Sequence, residues 1–173
     1  MKSILEFAKT LIIALVIAML ITTYFKPTLV EGMSMYPTIQ PHNYLIISKI
    51  PYMQGTPEYG DIIVFKATIA YEGGEEKDLI KRVIGLPGDI IEVDGGEVYR
   101  NGEALEEPYI NGGETPGDIG PVTVSDGCIY VMGDNRPVSL DSRDPSLGEI
   151  PMDDVLGKAE IRLFPFDEIG SLD

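Results

Sequence analysis

From Ala8 to Phe25 the chain has 18 residues, of which only Lys9, Thr10, Thr22 and Thr23 are polar. A helix of about 20 mainly apolar residues spans a bilayer core, so this run predicts a transmembrane helix over residues 8–25. Lys9 can snorkel at one end, and Tyr24 suits the membrane interface. A cleavable leader would have a shorter apolar core, about 7–15 residues, ending in small side chains. Here the run exits through Thr23-Tyr24-Phe25-Lys26-Pro27, which is bulky and charged, so residues 1–26 read as a retained anchor. Lys2, Lys9 and the N-terminal amine favour a cytoplasmic N-terminus, with Lys26 as a contrary vote. Residues 27–173 then face outward.

Beyond the anchor the pattern changes period. Short apolar or alternating runs recur between clusters of Gly, Pro, Asp and Asn: Tyr44 to Ser48, Ile62 to Phe65, Leu79 to Ile84, Ile90 to Val93, Glu97 to Arg100, Cys128 to Met132 and Lys158 to Phe164. Such runs predict strands. Asp94-Gly95-Gly96 between two of them is a hairpin signal. Residues 102–126, rich in Gly, Pro and Glu, read as an extended loop with a short strand at Val122 to Val124. Phe164-Pro165-Phe166 reads as an apolar element capping the core. Ile50-Pro51-Tyr52-Met53 is an apolar loop that either dips into a bilayer or packs on the core. No amphipathic helical period holds over 12 residues, and no repeat is present. The expected fold is mainly β, a single antiparallel domain of packed, curved sheets behind one N-terminal transmembrane helix.

Charge narrows the function. The net charge is −15. Removing the three lysines and one glutamate of residues 1–26 leaves 10 basic and 27 acidic side chains. Such a domain repels phosphate backbones, which argues against nucleic acid. Cys128 is the only cysteine and His42 the only histidine. No intrachain disulfide can form, and no soft-ligand set for a structural zinc remains. Cys128 sits in what reads as a buried strand and His42 in an exposed turn. No metal or cofactor is expected.

The most informative residue is Ser34. It lies 8 residues beyond Lys26, within at most roughly 27 Å of the membrane exit at about 3.3–3.6 Å per residue. A nucleophile there works at the bilayer surface. A serine hydroxyl needs a base. A histidine base would have to be His42, and the context Met33-Ser34-Met35-Tyr36 is not a nucleophile elbow. That leaves the serine–lysine arrangement, with an amine made neutral by burial.

Eight lysines are available. Lys2, Lys9 and Lys26 belong to the anchor, Lys77 is among acids, Lys49 and Lys158 are near strand ends, and Lys66 closes a strand. Lys81 is the exception: in Leu79-Ile80-Lys81-Arg82-Val83 it shares a strand face with Leu79 and Val83. Read alone, it is equally an outward lysine guarding an edge strand. The segment Gly133 to Arg143 is a dense polar turn, read alone as structural. Its Asp/Asn pattern lacks calcium-loop spacing.

Taken together, these segments resemble the type I signal peptidases, membrane-anchored serine endopeptidases that remove signal peptides from exported proteins. Ser34-Met35-Tyr36-Pro37-Thr38 is similar to the family's nucleophile motif. Tyr44-Leu45 with Gly60-Asp61-Ile62-Ile63-Val64-Phe65 is similar to its next box. Lys81-Arg82-Val83-Ile84-Gly85-Leu86-Pro87-Gly88-Asp89 is similar to the lysine motif. Gly133-Asp134-Asn135-Arg136 through Ser139, Asp141, Ser142 and Arg143 is similar to the last. The likeness runs from the anchor to Phe166. It implies Ser34 as nucleophile and Lys81 as general base. Ser139 would position the amine, and Asp141 with Arg143 would support the loop. The oxyanion would be held by the Ser34 N–H and a group at Gly32, where this chain lacks the hydroxyl some members carry. The implied partners are exported preproteins, the lipid bilayer and the neighbourhood of the secretion translocon. The implied architecture is the compact single-span form typical of Gram-positive bacteria. The competing readings are a non-enzymatic anchored β module and a self-cleaving repressor-type peptidase; the latter carries a DNA-binding domain and no span.

Overall fold

The computed structural model describes residues 2–69 and 75–172. Helix α1 spans Lys2–Tyr24, about 35 Å at about 1.5 Å per residue. Its large apolar side chains from Ile4 to Ile21 are all at least half exposed. Within Ser3–Tyr24 an 18-residue stretch reaches a mean hydropathy of 2.4, and the helix is long and apolar enough to cross a membrane. The helix begins earlier than the predicted residue 8, because Lys2 to Phe7 contain nothing that breaks a helix. It ends at Tyr24, because Phe25 already belongs to a strand.

The rest is antiparallel β, as the periodicity predicts. Among the described residues there are twelve strands: β1 (Phe25–Leu29), β2 (Tyr44–Ser48), β3 (Ile62–Ile69), β4 (Glu75–Gly85), β5 (Ile90–Asp94), β6 (Glu97–Arg100), β7 (Glu103–Ala104), β8 (Ile119–Thr123), β9 (Cys128–Met132), β10 (Ile150–Pro151), β11 (Val155–Phe164) and β12 (Gly170–Ser171). The larger sheet runs β1-β2-β11-β3-β4-β9-β10, with β12 on β11; the smaller runs β7-β6-β5-β8. Gly95 and Gly96, both at positive φ, close the β5–β6 hairpin, as a two-residue loop between right-twisted strands requires.

Three apolar clusters hold these sheets. Ile62 and Val64 of β3 enter one with Met35, Ile39, Leu45 and Ile47. Ile63 and Phe65 enter a second with Val83, Ile129 and Val131. Burial on both faces explains why β3 begins as an unbroken apolar run. The third cluster, which includes Ile84, Ile91, Val98 and Met132, joins the smaller sheet to β4 and β9.

Among the described residues, two of the open strand edges position the site. β1 is the last strand of its sheet. β4 pairs with β3 over Glu75 to Arg82, but with β9 only at Arg82, Val83 and Gly85. Backbone from Lys77 to Lys81 is therefore laddered on one side.

Several expectations are corrected. β3 and β4 extend past their apolar runs and stay paired as far as Ile69 and Glu75. The stretch 102–126 holds two short strands, Glu103–Ala104 and Ile119–Thr123, the second overlapping the expected Val122 to Val124. Lys158 lies inside β11 and pairs with Asp61 at 2.7 Å. Cys128, at the start of β9, is only partly buried. Phe164 and Phe166 do not cap the core: they are 45% and 78% exposed and meet edge to face at 5.4 Å on the surface, while Leu172 is buried in the first cluster. Residues Ile50–Met53 form a 3-10 turn. Tyr52 packs against the second cluster and its hydroxyl donates to Asp61, while Ile50 and Met53 stay exposed.

Candidate active site

Ser34 sits in the turn between β1 and β2. The buried side chains of Met35 and Ile39 tack that turn to the first cluster, and Val30 N–H donates to Asn43. The backbone of the serine is held from the other side by the polar turn after β9. Asn135 N–H donates to the Ser34 carbonyl at 2.9 Å, and Asn135 Nδ2 to the Met33 carbonyl at 3.0 Å. Both bonds aim a partly buried hydroxyl at β4.

There it meets Lys81. Nζ of Lys81 lies 2.8 Å from Ser34 Oγ and 2.9 Å from the Ile80 carbonyl. The lysine is 2% exposed, which rules out the outward, edge-guarding alternative. Burial pushes its amine down to about 8, against the opposing pull of the Asp141 and Asp134 carboxylates. Once deprotonated, an amine at hydrogen-bond distance from a hydroxyl can take its proton. His42 is exposed in its turn at positive φ.

Both nearby carboxylates are occupied by arginine. Asp134 takes a two-pronged contact from Arg82, Nε to Oδ1 at 2.9 Å and Nη2 to Oδ2 at 2.7 Å, and accepts the Thr38 hydroxyl. The same guanidinium lies 4.0 Å over the Tyr109 ring and donates to the Gly60 carbonyl. Asp141 accepts Nε and Nη2 of Arg143 at 2.8 and 2.9 Å, and the Gly133 N–H at 3.0 Å. Arg143 also donates to the Arg136 carbonyl. Arg136, fully buried, grips Glu107 with both Nη atoms, Thr115 with Nη1 and the Gly133 carbonyl with Nε.

Gly133 is at the crossing of these elements. A Cβ there would lie nearer to Ser139 Oγ and the Ser34 carbonyl than any real side chain tolerates. The hydroxyl of Ser139 is buried and makes no hydrogen bond.

A groove of about 680 Å³ opens beside the pair, between the free edges of β1 and β4. Near Ser34 and Lys81 its walls are apolar, from Leu29, Val30, Val64, Leu79 and Ile80. Among the described residues, no group of three or more His, Cys, Asp and Glu side chains comes together in a metal-binding arrangement.

The description of the signal peptidase family, peptidase S26, matches residues 4–164. The chain belongs to that family. Signal peptidase I of Bacillus licheniformis is 39% identical over 99% of this chain and 95% of its own. Signal peptidase I S of Bacillus subtilis is 36% identical over 97% and 93%. The probable signal peptidase I-2 of Synechocystis is 41% identical over 97% and 77%. A solved signal peptidase I from Enterococcus faecalis is 32% identical, covers 59% of this chain and 95% of its own, and superposes with a TM-score of 0.47. As a member of the signal peptidase family, this chain is a serine endopeptidase.

Of the site residues read from sequence in this signal peptidase relative, Ser34 and Lys81 meet directly, and Asp141 and Arg143 form one pair. Ser139 stands next to Gly133 without touching the amine through a hydrogen bond. Gly32 is exposed, and a side chain there would meet open space. The sequence reading assigned no role to Arg82, Asp134, Asn135, Arg136 or Glu107. Nothing in the loop around Glu107 hinted at a buried carboxylate.

Asp134 joins three segments, and truncating it leaves Arg82 buried and unpaired. Breaking a buried pair in this way costs about 3–5 kcal/mol. Urea denaturation of Asp134→Ala is expected to show a loss of that size; a loss below about 1 kcal/mol would mean that the pair is not holding these segments together.

Proposed function

We propose that this chain is a membrane-anchored endopeptidase that removes N-terminal signal peptides from exported preproteins, with Ser34 as nucleophile and Lys81 as general base. The observation that carries the assignment of roles is the 2.8 Å separation of Ser34 Oγ from an amine that is 2% exposed. The substrate class is supported by the likeness to proteins named signal peptidase I over nearly their whole length.

In this reading the preprotein lies as an extended segment between the free edges of β1 and β4, adding a strand by backbone hydrogen bonds. The shallow apolar walls suit the small residues expected at positions −1 and −3. The neutral Lys81 amine accepts the Ser34 proton as Oγ attacks the carbonyl of the last signal-peptide residue. The oxyanion is received by the Ser34 N–H; Gly32 brings no hydroxyl to it. The resulting ammonium protonates the departing amine, and the mature protein leaves. Lys81 then takes a proton from water, which hydrolyses the ester and frees the signal peptide. Ser139, whose buried hydroxyl makes no hydrogen bond in this structure, is available to steady the amine, and the Asp141–Arg143 pair holds the loop that carries it.

The anchor sets where this happens. Helix α1 crosses the bilayer with its N-terminus in the cytoplasm, and residues from Phe25 onward act on the outer side, beside the secretion translocon. The 3-10 turn at Ile50–Met53 is tied to the end of the helix, because Lys49 N–H donates to the Tyr24 carbonyl at 2.9 Å. Its exposed Ile50 and Met53 therefore rest at the membrane interface, and Tyr52 does not.

Three outcomes are expected. Ser34→Ala and Lys81→Met should each lower preprotein cleavage in lipid by at least about 10³-fold. Lys81→Met should leave the Tm unchanged or raised, since it replaces a desolvated amine by an apolar chain of similar length. Cleavage near wild type in either variant would remove the assignment. The kcat/KM should rise about tenfold per pH unit below pH 8 and level above it, because only the deprotonated amine is a base and burial lowers its pKa to about 8. A limb that levels only near pH 10 would mean a solvated lysine. Finally, Ile50→Asp with Met53→Asp should weaken liposome binding of a chain lacking residues 1–24 by several-fold, whereas unchanged binding would exclude contact of this turn with lipid.

A further inference from the structure

The groove changes character along its length. Beside Ser34 it is apolar; at its far end it is lined by Lys26, Lys77 and Asp78. One contact bridges the two walls there: Lys26 Nζ, from β1, lies 2.7 Å from Asp78 Oδ2, on β4. Lys26 is two residues past the last residue of helix α1, so this is the membrane-facing end. A signal peptide whose apolar segment is still in the bilayer must pass it on the way to Ser34.

Position along β4 gives the register. From Lys81 to Asp78 is three residues, about 10 Å at about 3.3 Å per residue. A substrate strand advances at the same rate. With residue −1 at Ser34 and Lys81, residue −4 comes alongside Asp78.

The pair is also easily opened. Its side chains are 48% and 38% exposed, and ion pairs in such settings contribute about 0–1 kcal/mol. A charged substrate side chain can displace either partner.

Resting on the signal-peptide reading above, we propose that Lys26 and Asp78 are specificity-determining residues that contact the signal peptide near position −4 and make the groove accept either charge there. An acidic side chain pairs with Lys26, and a basic one with Asp78. Neither is preferred while both partners are present.

The test uses the full chain in lipid vesicles and three otherwise identical preprotein substrates with Glu, Gln or Lys at position −4, and a second series with the same changes at +3. Wild type is expected to cleave the −4 series with kcat/KM values within about twofold of one another. Asp78→Asn should favour Glu over Lys by about three- to fivefold, and Lys26→Gln should favour Lys over Glu to the same extent. Both preferences should shrink in 0.5 M salt. The exchanged pair, Lys26→Asp with Asp78→Lys, should return to near indifference. The +3 series should not respond. Equal losses on all peptides would show a purely structural clasp and overturn the proposal, as would preferences of the same sign in both variants or none in either. Failure of the wild type to cleave any substrate would instead reject the underlying function.

Discussion

Everything in the site depends on keeping one amine dry. As the proposed base, Lys81 would act only in its neutral form, and burial lowers its pKa toward that form. That condition is harder to meet than it looks, because Asp134 and Asp141 are close enough to pull its proton back. The structure resolves the conflict by giving each carboxylate its own arginine, Arg82 on Asp134 and Arg143 on Asp141. With their charges largely answered, the acids can anchor backbone without holding the lysine protonated. The arginines thus have an electrostatic duty toward Lys81 in addition to tying segments together.

The second constraint is the pair of open edges. An unpaired strand edge invites association with any extended chain. Here two edges face each other across a groove, so a substrate strand can be laddered on both sides while its reacting carbonyl is brought to Ser34. The same arrangement exposes the protein to unwanted pairing. Lys26, Lys77 and Asp78 put charge along the groove at the end away from Ser34, a common way to blunt an edge.

Which parts of this could be read from the chain follows from where the information resides. β2, β6 and β9 have the limits that their local patterns predict, because each is bounded by turn residues. β1 was missed because Phe25-Lys26-Pro27-Thr28-Leu29 contains a proline and a lysine, tolerated only because it is an edge strand. β3 and β4 outrun their apolar runs because backbone pairing carries on where the side-chain pattern no longer marks a strand. Ser34 stood out by its position beside the anchor, whereas Lys81 read alone as an edge-guarding lysine and was singled out only by the resemblance of its motif. The Arg82–Asp134 pair, 52 residues apart in sequence, depends on β4 and β9 becoming neighbours, and no local pattern records that. Apolar character also fails to say which surface a side chain meets: Tyr52 and Phe166 are both aromatic, yet one packs inward and the other lies in the open.

The site also shows why its surroundings are so heavily bonded. A buried amine and a buried Ser139 hydroxyl without a partner are each unfavourable for folding; an unsatisfied buried hydroxyl alone costs about 1–3 kcal/mol. Such strain persists only where neighbouring structure over-determines it. Here that role falls to Arg136, Arg143 and Asn135, whose bonds converge on the backbone from Met33 to Ser34 and from Gly133 to Arg136. Loosening that convergence would let Gly133 move away from Ser34 and admit water to Lys81. The amine would regain its ordinary affinity for protons, even with both reacting residues intact. In the proposed mechanism the polar turn after β9 would therefore serve the chemistry through the dryness it maintains.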